Sequence, residues 1–453
     1  MTIAEFSRRL RAGETTSVET TTECLARIDA DNEGLNAFIL VTADEALQTA
    51  RAADRELAAG RDRGPLHGVP VSVKDIIDVY DQPTTAASRV RDGHRATRDA
   101  TVVAHLRSAG AVLIGKTNLH EFALGTTNEE SAFGPARNPH DRMRSPGGSS
   151  GGSAISVATG MALATVGTDT GGSIRIPAAA CGIVGLKPTF GELSTDGVVP
   201  LSPSLDHVGP LAQTVDDAWV VCRALGGDAS PRRLTPVPLT ALRLAVPRDY
   251  FLDLLDAEVR ARFDEALGLL ARAGIRIHDA TIGHARAIQA TYLHLTLPEA
   301  AAYHAPMLDT VAERYTKPVR LRLEMGRYIL AEDYVRAKAM RDQLCREVDA
   351  ALANCDALVL PTMPIPATLI GADTVRVGDS SEPVRNTTLR LTQLFNLTGH
   401  PAITLPCGTT AEHLPVGLQL VGARHHTAAL ASAALACEAV LGATPALAAA
   451  RTS

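Results

Sequence analysis

The chain has 453 residues, 45% of them hydrophobic and 21% charged, with a net charge of -6 at pH 7 and a pI near 6.2. That is an ordinary globular composition, long enough for one large domain or two to three modest ones, and its mild acidity gives no electrostatic footprint for nucleic acid or an anionic membrane. Seven scattered cysteines without a C-x-x-C pair argue against a disulfide framework and a structural zinc site, and predict reduced thiols in a cytoplasmic protein.

The opening MTIAEFSRRLRAG lacks an apolar h-region, so no secretory signal is expected. Thr16 with Glu19 forms a capping-box pattern ahead of the helix VETTTECLARIDA, and TADEALQTARAADRELAAG reads as a second helix closed by Gly60. GVPVSVKDIIDV then predicts a strand, TVVAHLRSAG a helix and AVLIGKTN a strand. LRLAVPRDY and IRIHDATI read as strands on either side of the helix AEVRARFDEALGLLARAG. CDALVLPTMPIP and PAITLPCG are apolar runs ending in Pro or Gly, as buried strands do. The tail AALASAALACEAVLGATPALAAA is broken by Glu438, Gly442 and Pro445, which makes it a packed helix and its end, not a membrane span. This alternation predicts an α/β architecture with a mostly covered sheet.

Two glycine–serine clusters stand out. GGSSGGS (Gly147–Ser153) has a linker's composition and contains a G-x-S-x-G match centred on Ser150. A phosphate loop would need a lysine that is missing here. A nucleophile elbow needs an apolar strand before its serine, and RNPHDRMRSP is the wrong context. The linker reading also fails. A second cluster, GTDTGGSIR (Gly167–Arg175), lies between the apolar ATGMALATV and IPAAACGIVGLKP, and disordered chain does not alternate with core-forming segments. Two glycine turns separated by a buried helix would bring two serine loops to one end of the structure. Backbone amides around Thr170, Gly171, Gly172 and Ser173 could then converge as an oxyanion hole requires.

A serine nucleophile needs a base. None of the 14 histidines has a persuasive setting; His425 and His426 sit in a polar segment, and His67 lies in a turn. Lys74 stands inside a Val/Ile-rich run. Two readings stay open for it: an edge lysine paired with Asp75, or a desolvated lysine whose neutral amine accepts a proton.

GVPVSVKD, SPGGSSGGS and GTDTGGSIRIPAAACGIVGLKPT, in that order, resemble the amidase signature family of serine hydrolases. The likeness continues through NLHEFALGTTNEESAFGPARNP, SLDHVGPLAQTVDD, DALVLPTMPIPA, FNLTGHPAITLPCG and LPVGLQLVG, and is weakest across 225–345. It implies one amidase domain over 1–453, with a mixed β-sheet covered by helices on both faces. Within it, N-terminal helices occupy 1–60, the catalytic core 61–224, a helix-rich pocket-shaping part 225–345, and closing strands and helices 346–453. The implied triad is Ser–cisSer–Lys: Ser173 as nucleophile, Ser149 as middle serine after a cis Gly148–Ser149 peptide, and Lys74 as base. The resemblance also puts the oxyanion hole on the amides of Thr170, Gly171, Gly172 and Ser173, and the substrate beside Gly125, Thr126 and Thr127. Asp169 and Arg175 are expected to brace the turn by pairing, and Ser150 and Ser153 to hydrogen-bond locally. No metal or other cofactor is implied.

The same machinery cleaves amides, carbamates and esters. Tyr292, Leu293, Leu295, Leu297, Tyr303 and Met307 suggest a hydrophobic or aryl substrate if they line the pocket, and nothing if they are core. The expected activity is that of a stand-alone amidase of aryl acylamidase or urethanase type. The alternative is the glutaminase component of an amidotransferase, which releases ammonia from glutamine for misacylated tRNA. Such subunits usually carry a run of tyrosines where RYILAEDYVRAKAMRDQ has only Tyr328 and Tyr334, and commonly Asn where TTNEES has Glu130; both departures, with the modest length, favour the stand-alone hydrolase. A non-catalytic binding protein on this fold would not need Lys74, Ser149 and Ser173 together. The expected partner is a small amide or carbamate, with no nucleic acid or membrane, and the expected state is a monomer or homodimer.

Overall fold

In the strand Ala357–Pro361, Ala357 and Val359 enter one apolar cluster while Leu358 and Leu360 enter another. Within Val112–Thr117, Leu113 likewise parts from Val112 and Ile114. Successive strand side chains point to opposite faces, so both faces of this sheet are covered, and its strands read as continuous apolar runs.

The computed structural model describes residues 1–228 and 233–442. In chain order the strands are β1 (Phe38–Val41), β2 (Pro70–Lys74), β3 (Val112–Thr117), β4 (Ala164–Asp169), β5 (Val184–Lys187), β6 (His207–Ala212), β7 (Arg243–Pro247), β8 (Arg276–Ala280), β9 (Ala357–Pro361), β10 (Thr374–Val377), β11 (Ser380–Pro383), β12 (Ala402–Thr409) and β13 (Pro415–Val421). Among the described residues an 11-stranded sheet has the order β1-β3-β2-β4-β6-β5-β12-β13-β9-β7-β8, and β10 and β11 form a separate hairpin. The sheet is mixed. β2 runs parallel to β3 and β4, and β7 parallel to β8 and β9, while β12 is antiparallel to both β5 and β13. This is a single-domain α/β fold.

Several local expectations meet their physical cause here. Thr16 and Glu19 make both bonds of the capping box at the start of Ser17–Leu35. The strand expected over GVPVSVKDIIDV stops at Lys74. The amides of Ile76 and Ile77 both return to the Lys74 carbonyl (2.7 and 3.0 Å), turning the chain so that both isoleucines drop into the core. Within the helix-rich segment 225–345, β7 and β8 extend the main sheet, and Ala257–Arg272, Ile288–Val311, Lys317–Gly326 and Ala331–Leu352 are helices, the last running past 345. All seven cysteines are free. Thr427–Leu441 is the packed C-terminal helix; Pro445 lies outside the described residues. Among the described residues no helix is long and apolar enough to cross a membrane.

Packing around the middle strands leaves no room for added atoms. A Cβ at Gly209 of β6 would lie 2.3 Å from the Leu186 carbonyl oxygen on neighbouring β5. Gly209→Ala is therefore expected to cost about 1–3 kcal/mol, read as a lower urea midpoint; an unchanged midpoint would contradict this packing.

Candidate active site

β2 and β4 are parallel neighbours with Val73 opposite Val166, so Lys74 and Asp169 finish at the same edge of the sheet. The carboxyl ends of parallel strands are where open α/β sheets place their ligands. Gly151–Ala158, the helix that begins inside GGSSGGS, packs at this edge. Ser150 Oγ donates to the Thr168 carbonyl (3.2 Å), and Ser153 Oγ shares a hydrogen bond with Thr117 Oγ1 (2.7 Å). The expectation for both is a local bond. Instead each ties the helix to a strand, because the helix start lies directly over the sheet.

Lys74 is fully buried, and its Nζ donates to Ser149 Oγ and Thr168 Oγ1, both at 2.8 Å. It does not pair with Asp75. That carboxylate points the other way, meets Lys116 Nζ at 2.8 Å and accepts the Thr85 amide. The geometry thus matches the desolvated-lysine reading. Burial pushes Lys74 down to about 7, against the opposing pull of Asp169 and Asp206.

The Gly148–Ser149 peptide is cis. A Cβ at Gly148 would come within 2.9 Å of the backbone of Thr126, Thr127 and Asn128, so the Thr126–Asn128 stretch closes directly against the residue before Ser149. Ser145 Oγ holds that stretch through the Thr127 carbonyl (2.7 Å).

The second serine loop touches the first, since the Ser150 amide donates to the Ser173 carbonyl (3.3 Å). Ser173 is 5% exposed. Arg175 grips Asp169 with Nη2 (2.9 Å) and Nε (3.1 Å), and the Ile174 amide adds a third donor (3.1 Å). Burial alone would raise the Asp169 carboxyl, but Arg175 beside it holds it well below the usual range. Arg175 also donates to Asn396 Oδ1 (2.7 Å), the Thr392 carbonyl and Gln419 Oε1, joining the turn to distant segments.

Thr392 Oγ1 donates to the Gly171 carbonyl at 2.6 Å, and Thr170 Oγ1 donates to Asp206 Oδ1 at 2.6 Å. A trans peptide points its N–H opposite to its C=O, so pinning this carbonyl aims the Gly172 amide away from Thr392. Among the described residues no protein acceptor takes the amides of Gly171, Gly172 or Ser173. Gly172 has φ +145°, a conformation side chains disfavour, and a Cβ there would strike Thr392 Oγ1 at 2.3 Å.

The model of the Amidase family matches residues 19–430. The chain belongs to the amidase family. Over 98% of its length it is 41% identical to the A subunit of the glutamyl-tRNA(Gln) amidotransferase of Anaeromyxobacter sp. (strain K), covering 97% of that protein. A crystal structure of an amidase superposes with TM-score 0.93 at 38% identity, covering 98% of this chain and 100% of that one. The peptide amidase of Stenotrophomonas maltophilia superposes with TM-score 0.83 at 31% identity, covering 98% of each chain. This amidase has the mixed sheet and flanking helices of the amidase signature fold.

Other residues enter the site that the motifs did not single out for a role. Thr168 is the second acceptor of Lys74, and Asp206, pushed up to about 6 by burial, holds Thr170. Tyr292 is at the site, with its hydroxyl 2.5 Å from where a Gly171 Cβ would sit. Leu295 and Leu297, which on sequence could have lined the pocket, are instead buried in the apolar core. Two cavities of about 400 Å³ exist in the molecule, but neither is lined by Lys74, Ser149 or Ser173. Among the described residues no cluster could hold a metal ion.

With Lys74 acting as a neutral base, kcat/KM for an uncharged amide is expected to climb about tenfold per pH unit up to about pH 7 and then level off as the amine loses its proton; a flat profile across that range would contradict it. Arg175→Met strands a buried carboxylate and should cost about 3–5 kcal/mol in urea unfolding; a loss below about 1 kcal/mol would show the pair to be dispensable.

Proposed function

We propose that this protein hydrolyses the C–N bond of a small amide through an acyl-enzyme on Ser173, with Ser149 and Lys74 as its proton relay. The observation that carries the proposal is the buried Lys74 Nζ on Ser149 Oγ at 2.8 Å, with no carboxylate paired to it among the described residues. Neutral Lys74 takes the Ser149 proton as Ser149 takes the Ser173 proton, and Ser173 Oγ attacks the carbonyl carbon. The oxyanion that forms is held by the amides of the Thr170–Ser173 turn, a contribution of roughly 3–4 kcal/mol per strong donor. Collapse breaks the C–N bond, and the relay returns the proton to the leaving amine. Water then attacks the ester through the same relay, freeing Ser173 and releasing the carboxylic acid. Gly125, Thr126 and Thr127 flank the substrate carbonyl, and Asp169 with Arg175 hold the turn in place.

A second reading has its own support. The curated relative from Anaeromyxobacter is named as the A subunit of a glutamyl-tRNA(Gln) amidotransferase, and the likeness spans nearly the whole chain. On that reading glutamine is the amide and the ammonia passes to a partner. Stand-alone hydrolysis, including the aryl amides and carbamates suggested by Tyr292 and its neighbours, differs in needing no partner.

Fluorophosphonate labelling with peptide mapping should modify Ser173; modification at Ser150 would overturn the assignment. Ser173→Ala should abolish turnover with the fold intact, and Lys74→Ala should lose about 10²-fold or more. Lys74→Ala with near wild-type activity would rule out Lys74 as base. Ammonia release from glutamine, nitroaniline release from a nitroanilide and hydrolysis of an aryl carbamate, each with and without partner proteins, separate the two readings.

A further inference from the structure

β4 and β6 pair antiparallel with Asp169 opposite His207, so Thr170 and Asp206 are the next facing residues beyond the ladder. Thr170 Oγ1 donates across to Asp206 Oδ1 at 2.6 Å. Asp206 Oδ2 accepts the amides of Leu201 (2.9 Å) and Ser202 (3.0 Å). One carboxylate thus closes the 201–206 loop on itself and ties it to the first residue of the oxyanion turn.

A second carboxylate holds the same loop from outside. Glu299 Oε2 accepts from Ser202 Oγ (2.6 Å) and the Ser204 amide (3.1 Å), and Oε1 from Ser204 Oγ (2.7 Å) and Tyr334 Oη (3.0 Å). Glu299 follows Tyr292 by seven residues on Ile288–Val311, two turns along, which puts both on one face of that helix. Tyr292 Oη lies over the turn, 2.5 Å from where a Gly171 Cβ would sit. The helix therefore reaches the oxyanion turn twice, directly through Tyr292 and again through Glu299, the loop and Asp206.

Attraction between charges does not explain this arrangement. Among the described residues every hydrogen-bond donor to Asp206 or Glu299 is a neutral hydroxyl or amide. Burial raises the Asp206 carboxyl to about 6, and the charge of Glu299 adds to that. Two acids held near each other without a cation cost free energy. What they supply is geometry. A carboxylate accepts on both oxygens, whereas an Asn side chain accepts on one atom and donates from the other. Asp206 can hold Thr170 with one oxygen and two loop amides with the other; Asn could not do both. Thr392 grips the far side of the turn through the Gly171 carbonyl.

We propose that Asp206 and Glu299 are positioning residues for amide hydrolysis, two carboxylates in series that fix Thr170 and keep the oxyanion turn in register with the Tyr292 helix. The proposal rests on the Ser173 reading above and adds residues that serve it without touching the reacting atoms.

The test is a double-mutant cycle between Asp206→Asn and Thr170→Val, read as kcat and KM on whichever amide wild type hydrolyses. A second readout, needing no substrate, is the rate of fluorophosphonate labelling of Ser173, because the phosphonyl oxygen occupies the oxyanion position. Each single variant should lower kcat and the labelling rate about tenfold or more, with KM changed less than about twofold. Since Asp206 acts through Thr170, the double variant should stay within about threefold of the slower single variant. Thr170→Ser, which keeps the hydroxyl, should recover most of what Thr170→Val loses. Glu299→Gln, one step further out, should slow both rates about threefold. Effects that multiply in the double variant, or Thr170→Ser no faster than Thr170→Val, would overturn the positioning role while leaving Ser173 in place. So would wild-type rates in Asp206→Asn or, should that variant not fold, in Glu299→Gln. Absence of both turnover and labelling in wild type would instead sink the Ser173 reading and this proposal with it.

Discussion

A lysine buried at the end of a strand must either find a carboxylate or give up its proton, and which of these happens decides what the site can do. In this protein the nearest acid in sequence, Asp75, is held by Lys116 on β3. Strand geometry makes this so, since consecutive side chains leave a strand on opposite faces. Lys74 therefore faces Ser149 and Thr168, two hydroxyls that can bond an amine without compensating a charge. Its basicity falls to about 7, with burial as the main cause. Had Asp75 faced the same way, Lys74 would have stayed a cation.

The turn between Asp169 and Arg175 solves the opposite problem. Its carboxylate, Asp169, must stay charged in a dry interior, and it does so because Arg175 matches it with a fork and Asn396 adds a further donor. The same Arg175 reaches Thr392 and Gln419. Segments far apart in the chain therefore converge on one ion pair, and the turn between Asp169 and Arg175 is held at both ends. Thr392 then sets the peptide plane within it by taking hold of the Gly171 carbonyl. Buried ion pairs are weak sources of stability, and here the pair holds the turn between Asp169 and Arg175 in one arrangement.

Lys74, Ser149 and Ser173 sit on or beside β2, β4 and the helix Gly151–Ala158, elements fixed by the covered sheet. The wall facing them comes from Ile288–Val311, Lys317–Gly326 and Val384–Leu389, helices that lie outside the sheet.

Sequence by itself determined the local elements and the chemistry-bearing types. The capping box at Thr16, the apolar runs of β9 and β12, and the Gly/Ser clusters around Ser149 and Ser173 were all legible, because each depends on neighbouring residues or on a long ordered motif. Tertiary structure alone decided the partners. No local pattern shows that Asp75 turns to Lys116, that Ser150 bonds the Thr168 carbonyl, or that Arg385 ends beside Tyr292. Nor could the strand's early end at Lys74 be foreseen, since Ile76 and Ile77 suit a strand and a buried turn equally. The reason in each case is the same. Composition and spacing report a residue's preference for burial, whereas the neighbour it meets there depends on which distant strand or helix the fold sets against it.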